Sequence, residues 1–111
     1  MPLLSEHLTI EPGTTAPFGI GLERNEYVQV EVKATEELEV AVCSPTVFRS
    51  WRSSGSLKGS LCHFRQIKNL HAPITAPRKS TYQLLLINDG KSLCNVDVKI
   101  SIAEPPAGRR G

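Results

Sequence analysis

The sequence predicts an all-β protein, an antiparallel β-sandwich of about eight strands with one short helix near residues 45–53. Residues 27–33, 37–42 and 94–102 alternate apolar and polar side chains with a period of two, which indicates strands that keep one face in water. Residues 82–87 are apolar at nearly every position, so this strand is covered on both faces. Turn residues punctuate the chain at short intervals, and a sandwich accommodates both kinds of strand.

The three alternating segments place one residue type toward the interior. Gln29, Glu31 and Lys33 stand between the apolar residues of the first segment, and Glu37 and Glu39 between those of the second. In a strand such residues face opposite sides of the sheet. The predicted inward set is Val28, Val30, Val32, Leu38, Val40, Val42, Cys94, Val96, Val98, Ile100 and Ile102.

The doubly apolar segment runs directly into a strong turn signal, Asn88-Asp89-Gly90, which the last alternating strand follows. We therefore expect a hairpin between these two strands. A second layer, from this chain or from a partner, is expected to cover the outer side of residues 82–87. Weaker strand candidates, separated by proline and glycine, are residues 7–10, 17–22, 60–67 and 70–75.

A short helix is predicted after the second alternating segment. Its signals are an N-cap residue, a proline at the first helical position and a glycine past the last turn, namely Ser44, Pro45 and Gly55. Val47, Phe48 and Trp51 share one face at helical spacing, so this helix is expected to dock its aromatic residues onto the edge of the sheet. Arg49 and Arg52 are expected to point away from that face.

Length and composition fit one domain. The chain has 111 residues, 40% of them hydrophobic and 22% charged, which is ordinary for a globular domain that forms its core without disulfides or metals. We expect residues 1–103 to form this domain. The tail, residues 104–111, carries no core-forming residue and is expected to be disordered.

Three features favour a cytoplasmic protein. The first residues lack the basic start and apolar run of a secretory signal. No transmembrane segment is predicted, since no stretch approaches the roughly 18 apolar residues that span a bilayer. The three cysteines, an odd number, suit free thiols better than a disulfide framework.

Charge is segregated along the chain although the net charge is only +2. Residues 1–39 carry eight acidic and two basic residues, a formal charge of −6. Residues 40–88 carry no acidic residue and seven basic ones, a formal charge of +7. Such segregation predicts a polarised surface, unless folding mixes the two blocks.

The basic block indicates an anionic partner. Our leading hypothesis is a non-catalytic interaction module that recognises a protein partner or another copy of itself, whose acidic first third would meet the basic block. The predicted binding residues are Arg49, Trp51, Arg52, Arg65 and Lys68, with Trp51 as an aromatic anchor. Alternatives are a nucleic-acid or anionic-lipid binder, although few aromatic residues are present for base stacking, and a sandwich that holds a small ligand between its sheets.

Catalytic and metal-binding motifs are absent from the sequence. Cys43 with His63 or His71 is the one conceivable nucleophile–base pair. Cys62 and His63 with His71 offer three metal ligands, but adjacent strand residues face opposite sides and do not converge. The Asn88-Asp89-Gly90 turn supplies too few carboxylates for calcium, and three neighbouring glutamates, Glu36, Glu37 and Glu39, fit a solvated face. The sequence thus predicts neither an enzyme nor a bound cofactor or metal.

Residues 38–102 resemble the small β-sandwich accessory domains of the GOLD and jelly-roll kind. The resemblance rests on the order of three features: Val42-Cys43-Ser44-Pro45, then Phe48-x-x-Trp51 followed by Gly55, then Ala76-Pro77-x-x-x-x-Tyr82-x-Leu84-x-Leu86-x-Asn88. A bacterial accessory domain sometimes joined to Toll/interleukin-receptor-like signalling domains looks similar around the Phe-x-x-Trp segment. The resemblance implies a Tyr82 that packs in the core, an Asn88 that opens the last hairpin, and an adaptor, sensor or cargo-contacting role without catalysis.

Overall fold

The computed structural model describes residues 2–103, which form six strands and one helix. The expected tail, residues 104–111, lies outside this part of the chain. In chain order the elements are β1 (Pro2–Ile10), β2 (Thr14–Leu22), β3 (Tyr27–Cys43), α1 (Pro45–Ser54), β4 (Cys62–Thr75), β5 (Ser80–Asn88) and β6 (Cys94–Ile102).

All strand pairs are antiparallel and form one continuous sheet that is folded into two layers. The strand order is β1-β6-β3-β5-β2, with β4 beside β3. The first half of β3 pairs with β6 and its second half with β5, while β4 follows β3 along both halves. Layer I therefore contains β1, β6 and the β3–β4 segment at residues 27–33 and 69–75; layer II contains β2, β5 and the segment at residues 38–42 and 62–67. The predicted β-sandwich is confirmed.

Long, bent strands explain the number of segments that the sequence indicates. The alternating segments 27–33 and 37–42 are two halves of β3, joined where the pairing register shifts between Lys33 and Leu38. The weaker candidates 60–67 and 70–75 are likewise two halves of β4. Each half belongs to a different layer, so six strands provide the eight strand segments of a sandwich.

The expected hairpin between β5 and β6 is wrong. β5 pairs with β2 and β3, whereas β6 pairs with β1 and β3, so the turn after Asn88 carries the chain from layer II to layer I. The buried Asn88 side chain donates to the carbonyls of Ile10 and Ser92, both at 2.9 Å, and accepts from the Gly90 amide at 3.0 Å. An Asn-Asp-Gly sequence is a signal for a tight turn, and here the turn joins two layers rather than two neighbouring strands.

One hydrophobic core fills the space between the layers. Val30, Val32 and Ile100 from layer I pack in the same cluster as Val40, Leu84 and Leu86 from layer II, and all six are fully buried. Tyr82 is also buried, as the family resemblance implies, and its hydroxyl donates to the Arg78 carbonyl at 2.7 Å. Side chains thus occupy the interior where the small-ligand hypothesis requires a cleft.

The inward pattern of β6 ends two residues earlier than its sequence predicts. Its even-numbered residues are buried from Cys94 to Ile100, but Ile102, at the end of the strand, is 51% exposed. Its odd-numbered residues Asn95, Asp97 and Lys99 are exposed. Within residues 2–103, the single helix is far too short to cross a membrane.

Candidate functional site

The helix α1 covers part of the outer face of layer II. It begins at the predicted N-cap, Ser44, whose hydroxyl accepts from the Val47 amide at 3.3 Å. It ends at Gly55, which has a φ of 79° and donates its amide to the Trp51 carbonyl at 2.7 Å. Glycine adopts this left-handed conformation without the steric cost that a Cβ atom imposes. The predicted helix is therefore confirmed.

A second, smaller hydrophobic cluster holds α1 against the sheet. Ala41 and Cys43 of β3 and Leu85 of β5 face outward, yet they are buried beneath Phe48, Trp51 and Leu57. The helix thus packs onto the face of the sheet, not onto its edge as the sequence indicates. This cluster also identifies the second layer that the doubly apolar segment requires: α1, from the same chain, covers Leu85.

A groove runs between α1 and the first half of β4, and we call it the helix groove. It has a volume of about 410 Å³. Its lining residues are Glu39, Trp51, Gly55, Ser56, Leu57, Lys58, His63 and Arg65. The structure therefore brings together two of the predicted binding residues, Trp51 and Arg65, from elements that are distant in sequence.

Glu39 lies at the centre of the polar groups in this groove. Its side chain is only 17% exposed, and its carboxylate contacts the His63 ring nitrogen Nε2 and Arg65 Nε, the latter at 3.5 Å. The strand pairing explains the contact, because Val40 faces Phe64 and Leu38 faces Ile67, which leaves two residues of β4 opposite Glu39. Such a β-bulge re-aims the side chains around it. The second bulge residue, Gln66, has a φ of 55°.

The sequence indicates a solvated face for Glu39, and that prediction is wrong for this residue. Ala41 and Cys43 follow Glu39 on the same side of β3 and are both small and apolar. These two apolar residues are the signal in the sequence that this side of β3 is covered near the C-terminal end of the strand. His63 and Lys58, which also line the groove, are absent from the predicted binding set, and no local motif marks them.

A larger groove adjoins the first at the bend of β3 and β4, and we call it the corner groove. It has a volume of about 770 Å³. Arg65 and the predicted binding residue Lys68 line it, together with Glu36, Glu37 and Asp89. Folding thus places glutamates of the acidic block beside two cations of the basic block. The acid-free sequence block does not become an acid-free surface.

The two arginines of α1 have different surroundings. Both are exposed, and neither forms an ion pair with any residue in the range 2–103. The guanidinium of Arg52 lies over the Phe48 ring, 5.8 Å from its centroid, and this ring stacks on Trp51 with centroids 6.0 Å apart. Arg52 therefore contacts the aromatic face of the helix, contrary to the sequence prediction that it points away.

Cys43 and Cys62 lie in environments that disfavour the nucleophilic thiolate. Cys43 is buried beneath α1 and its thiol donates to the Gln83 carbonyl at 3.8 Å. Burial raises the pKa of the Cys43 thiol to about 11, and the nearby Cys62 thiol adds to the shift. Burial also raises the pKa of Cys62, against the effect of a hydrogen bond with the Val42 backbone. A raised pKa lowers the fraction of the nucleophilic thiolate.

The three residues considered for a metal are divided between the two layers, with Cys62 and His63 in layer II and His71 in layer I. His71 is opposite Glu31 in layer I, whereas Cys62 is opposite Val42 in layer II. Across residues 2–103 no three side chains of the metal-binding types cluster.

Comparisons with known proteins agree with the architecture. No family model matches the chain, and no curated protein matches it in sequence. A solved structure, the C-terminal CBM6 (a carbohydrate-binding module) of the marine laminarinase LamC from Zobellia galactanivorans, is similar with a TM-score of 0.51 and 10% identity. The match covers 90% of this chain and 92% of that one. This likeness shows a β-sandwich fold; it does not single out the GOLD family.

Proposed function

We propose that this protein is a non-catalytic binding module that captures an acidic segment of a protein partner on α1 and the helix groove. The observation that carries the proposal is a set of exposed cations at this site. Arg49 and Arg52 on α1 and Lys58 in the loop after it have no carboxylate partner among the described residues. Such cations are available to an anionic ligand.

The adjoining groups support the same ligand chemistry. Arg65 is already paired with Glu39, so the helix groove keeps a positive formal charge through Lys58. Trp51 lines the groove and is half-buried by its packing. A rigid aromatic residue bordered by cations is a common anchor for protein partners, and opposite charge steers the encounter.

Trp51 makes the proposal directly measurable, because it is the only tryptophan of the chain. A peptide rich in glutamate and aspartate, titrated at low salt, should change the Trp51 emission. The double variant Arg49→Glu with Arg52→Glu should weaken binding roughly tenfold or more, since each reversed surface charge contributes on the order of 1 kcal/mol. Lys91→Glu, in the corner groove, is the matched control and should leave the affinity nearly unchanged.

Two outcomes oppose this assignment. The site on α1 is contradicted if the Trp51 emission of the wild type does not change when the peptide is added. It is also contradicted if Lys91→Glu loses as much affinity as the double variant.

Heparin tests the nucleic-acid and anionic-lipid alternative. Tight heparin binding with a steep salt dependence, in the absence of peptide binding, favours that alternative. Light scattering at low and at high salt tests whether a second copy is the partner.

A second candidate function is carbohydrate binding, which the similarity to a CBM6 favours. The helix groove offers an indole beside hydrogen-bond donors and acceptors, Arg65 and Glu39 among them. A neutral glucan should then change the Trp51 emission even at high salt, about 0.5 M, because salt at that concentration screens exposed charges but not contacts with a neutral sugar. Trp51→Ala should abolish binding, while Trp51→Phe, which keeps a ring, should retain part of it. Insensitivity of the emission to glucans removes this candidate.

A further inference from the structure

On α1 the guanidinium of Arg52 lies over the Phe48 ring, and this ring stacks in turn on Trp51. The guanidinium carbon of Arg52 is 5.8 Å from the centroid of the Phe48 ring. The Phe48 and Trp51 rings are inclined by 22°, with centroids 6.0 Å apart. These spacings follow from the helix, because residues three and four positions apart lie on the same side. Trp51 and Phe48 are fixed in turn by the buried cluster beneath α1.

The neighbouring Arg49 provides a natural comparison. It lies on the same helix, is exposed, and carries the same charge. Within the described part of the chain, Arg52 has an aromatic ring beneath its guanidinium and Arg49 has none. An exposed arginine loses considerable rotamer freedom when it binds a ligand. Arg52 has already lost part of that freedom through its ring contact.

We infer that Arg52 is the specificity-determining residue of the proposed site, with Phe48 as its positioning residue. The inference rests on the proposed function. The contact with the ring restricts the orientation of the guanidinium and leaves N–H groups free to bind a ligand. Such N–H groups match the two oxygens of a carboxylate, to which arginine donates two parallel hydrogen bonds. Preorganisation of this kind raises affinity by reducing the entropy lost on binding.

The inference separates geometry from charge, so lysine substitutions test it. Arg52→Lys keeps the charge, including its favourable position in the last helical turn, but removes the planar fork. We expect it to weaken binding of the glutamate- and aspartate-rich peptide roughly fivefold, as the altered ring contact and the lost bidentate geometry imply. Arg49→Lys is the comparison within the same site: Arg49 has no ring contact to lose, so this change should weaken binding less than Arg52→Lys does, by about twofold.

Phe48 is tested by substitutions of similar size. Phe48→Leu keeps an apolar side chain over the sheet but removes the ring, and should weaken binding about as much as Arg52→Lys. Phe48→Tyr keeps the ring and should retain the wild-type affinity. If Phe48 acted only by packing, binding would not require a ring at this position. In the Arg52→Lys background, Phe48→Leu should have little further effect, since both changes remove the same contact.

A ligand-free measurement checks the geometry independently. In the wild type, NMR should show the Arg52 side-chain Nε–H proton shifted upfield of that of Arg49 by the ring current of Phe48, and Phe48→Leu should abolish the difference. If Arg52→Lys and Arg49→Lys weaken binding equally, the inference is wrong while the proposed function stands. If the wild type does not bind the acidic peptide, the proposed function is wrong and the inference falls with it.

Discussion

At the scale of single residues, the environment of each ionisable or reactive side chain decides its chemistry more than its type does. Glu39 and Glu37 are two positions apart on β3. Glu37 is exposed, whereas Glu39 is largely covered and contacts two basic side chains. The same contrast separates Arg52, which lies over an aromatic ring, from Arg49. A candidate binding residue therefore has to be judged by its neighbours from other elements.

Burial of the Cys43 thiol predicts a stability that falls at alkaline pH. Its pKa is raised from 9.0 to about 11 in the folded chain. The unfolded chain therefore releases this proton near pH 9, while the folded chain keeps it until about pH 11. Stability is fully present below pH 9 and decreases as pH rises through this window, by about 2–3 kcal/mol for a shift of that size.

Urea unfolding at about 25 °C, carried out between pH 8 and pH 11, measures this change in stability. Cys43→Ala should make the free energy of unfolding decline less steeply across the window. Part of the slope should remain, because the pKa of Cys62 is raised as well. If the free energy of unfolding declines equally steeply with pH in the variant and the wild type, Cys43 ionises at the same pH in the folded and the unfolded chain.

Residue-scale features of the site were predictable only where a local pattern exists. Trp51 follows from helical spacing and from its place in the basic block, and it lines the same groove as Arg65. Glu39 and His63 were missed because their contact depends on a bulge in β4, and a bulge depends on the register of two strands. Register is set by packing across the whole sheet, which the residues around a bulge do not encode.

At the scale of elements, α1 stands out because it is attached to the sandwich by a small interface. None of its own residues is fully buried. Its attachment is the cluster formed by Ala41, Cys43, Leu57 and Leu85, which half-buried side chains of the helix complete. A short helix is marginally stable in isolation, so this packing is what keeps it folded.

Removal of one side chain beneath α1 should therefore loosen the helix. Leu85 is fully buried and lies on the outer face of β5. We expect Leu85→Ala to lower the free energy of unfolding by roughly 2–4 kcal/mol, the usual cost of a buried Leu→Ala change. We also expect it to shift Trp51 emission to longer wavelength, because the indole gains contact with water.

Thr81→Ala is the matched control for this prediction. Thr81 lies on the same strand and face but is exposed, so its removal should change stability by less than about 0.5 kcal/mol. A Leu85→Ala protein with normal stability and unshifted emission contradicts the role given to the cluster.

Elements were predicted well where the period of the sequence is clear, and poorly where connections decide the outcome. The period of two found β3 and β6, and capping residues found α1 to within one residue of its observed end. The same information cannot tell a hairpin from a crossing between layers. Asn88-Asp89-Gly90 is compatible with both, and the choice depends on which strands β5 and β6 find as neighbours.

At the scale of the whole molecule, the fold mixes the two charge blocks that the sequence keeps apart. β3 carries acidic residues from the first block into both layers, and β4 lies beside it along its length. The cations near β3 are therefore accompanied by carboxylates, as Arg65 is by Glu39. Cations on α1 and its following loop are spared this pairing within residues 2–103, which is why the proposed site lies there.

Two connections that carry the chain from one layer to the other meet at Asn88. One such crossing joins β1 to β2 and the other joins β5 to β6. The Asn88 side chain donates to the carbonyls of Ile10 in the first crossing and Ser92 in the second, and the backbone carbonyl of Asn88 accepts from the Gly13 amide at 2.7 Å. This buried asparagine therefore fixes how the two layers are joined at one end of the sandwich.

Loss of that side chain should destabilise both layers together. Asn88→Ala removes the donor to the Ile10 carbonyl, a buried hydrogen bond, and to the Ser92 carbonyl, a partly buried one, which should cost about 2–4 kcal/mol of unfolding free energy. Asn95→Ala is the control, because Asn95 is exposed and its side chain accepts a single hydrogen bond, from Thr9 at 2.7 Å; its cost should stay below about 0.5 kcal/mol. Hydrogen exchange measures the result: in Asn88→Ala, amides of β6 in layer I and β5 in layer II should lose protection to the same extent. Loss confined to one layer means that Asn88 stabilises a local turn and does not join the two layers.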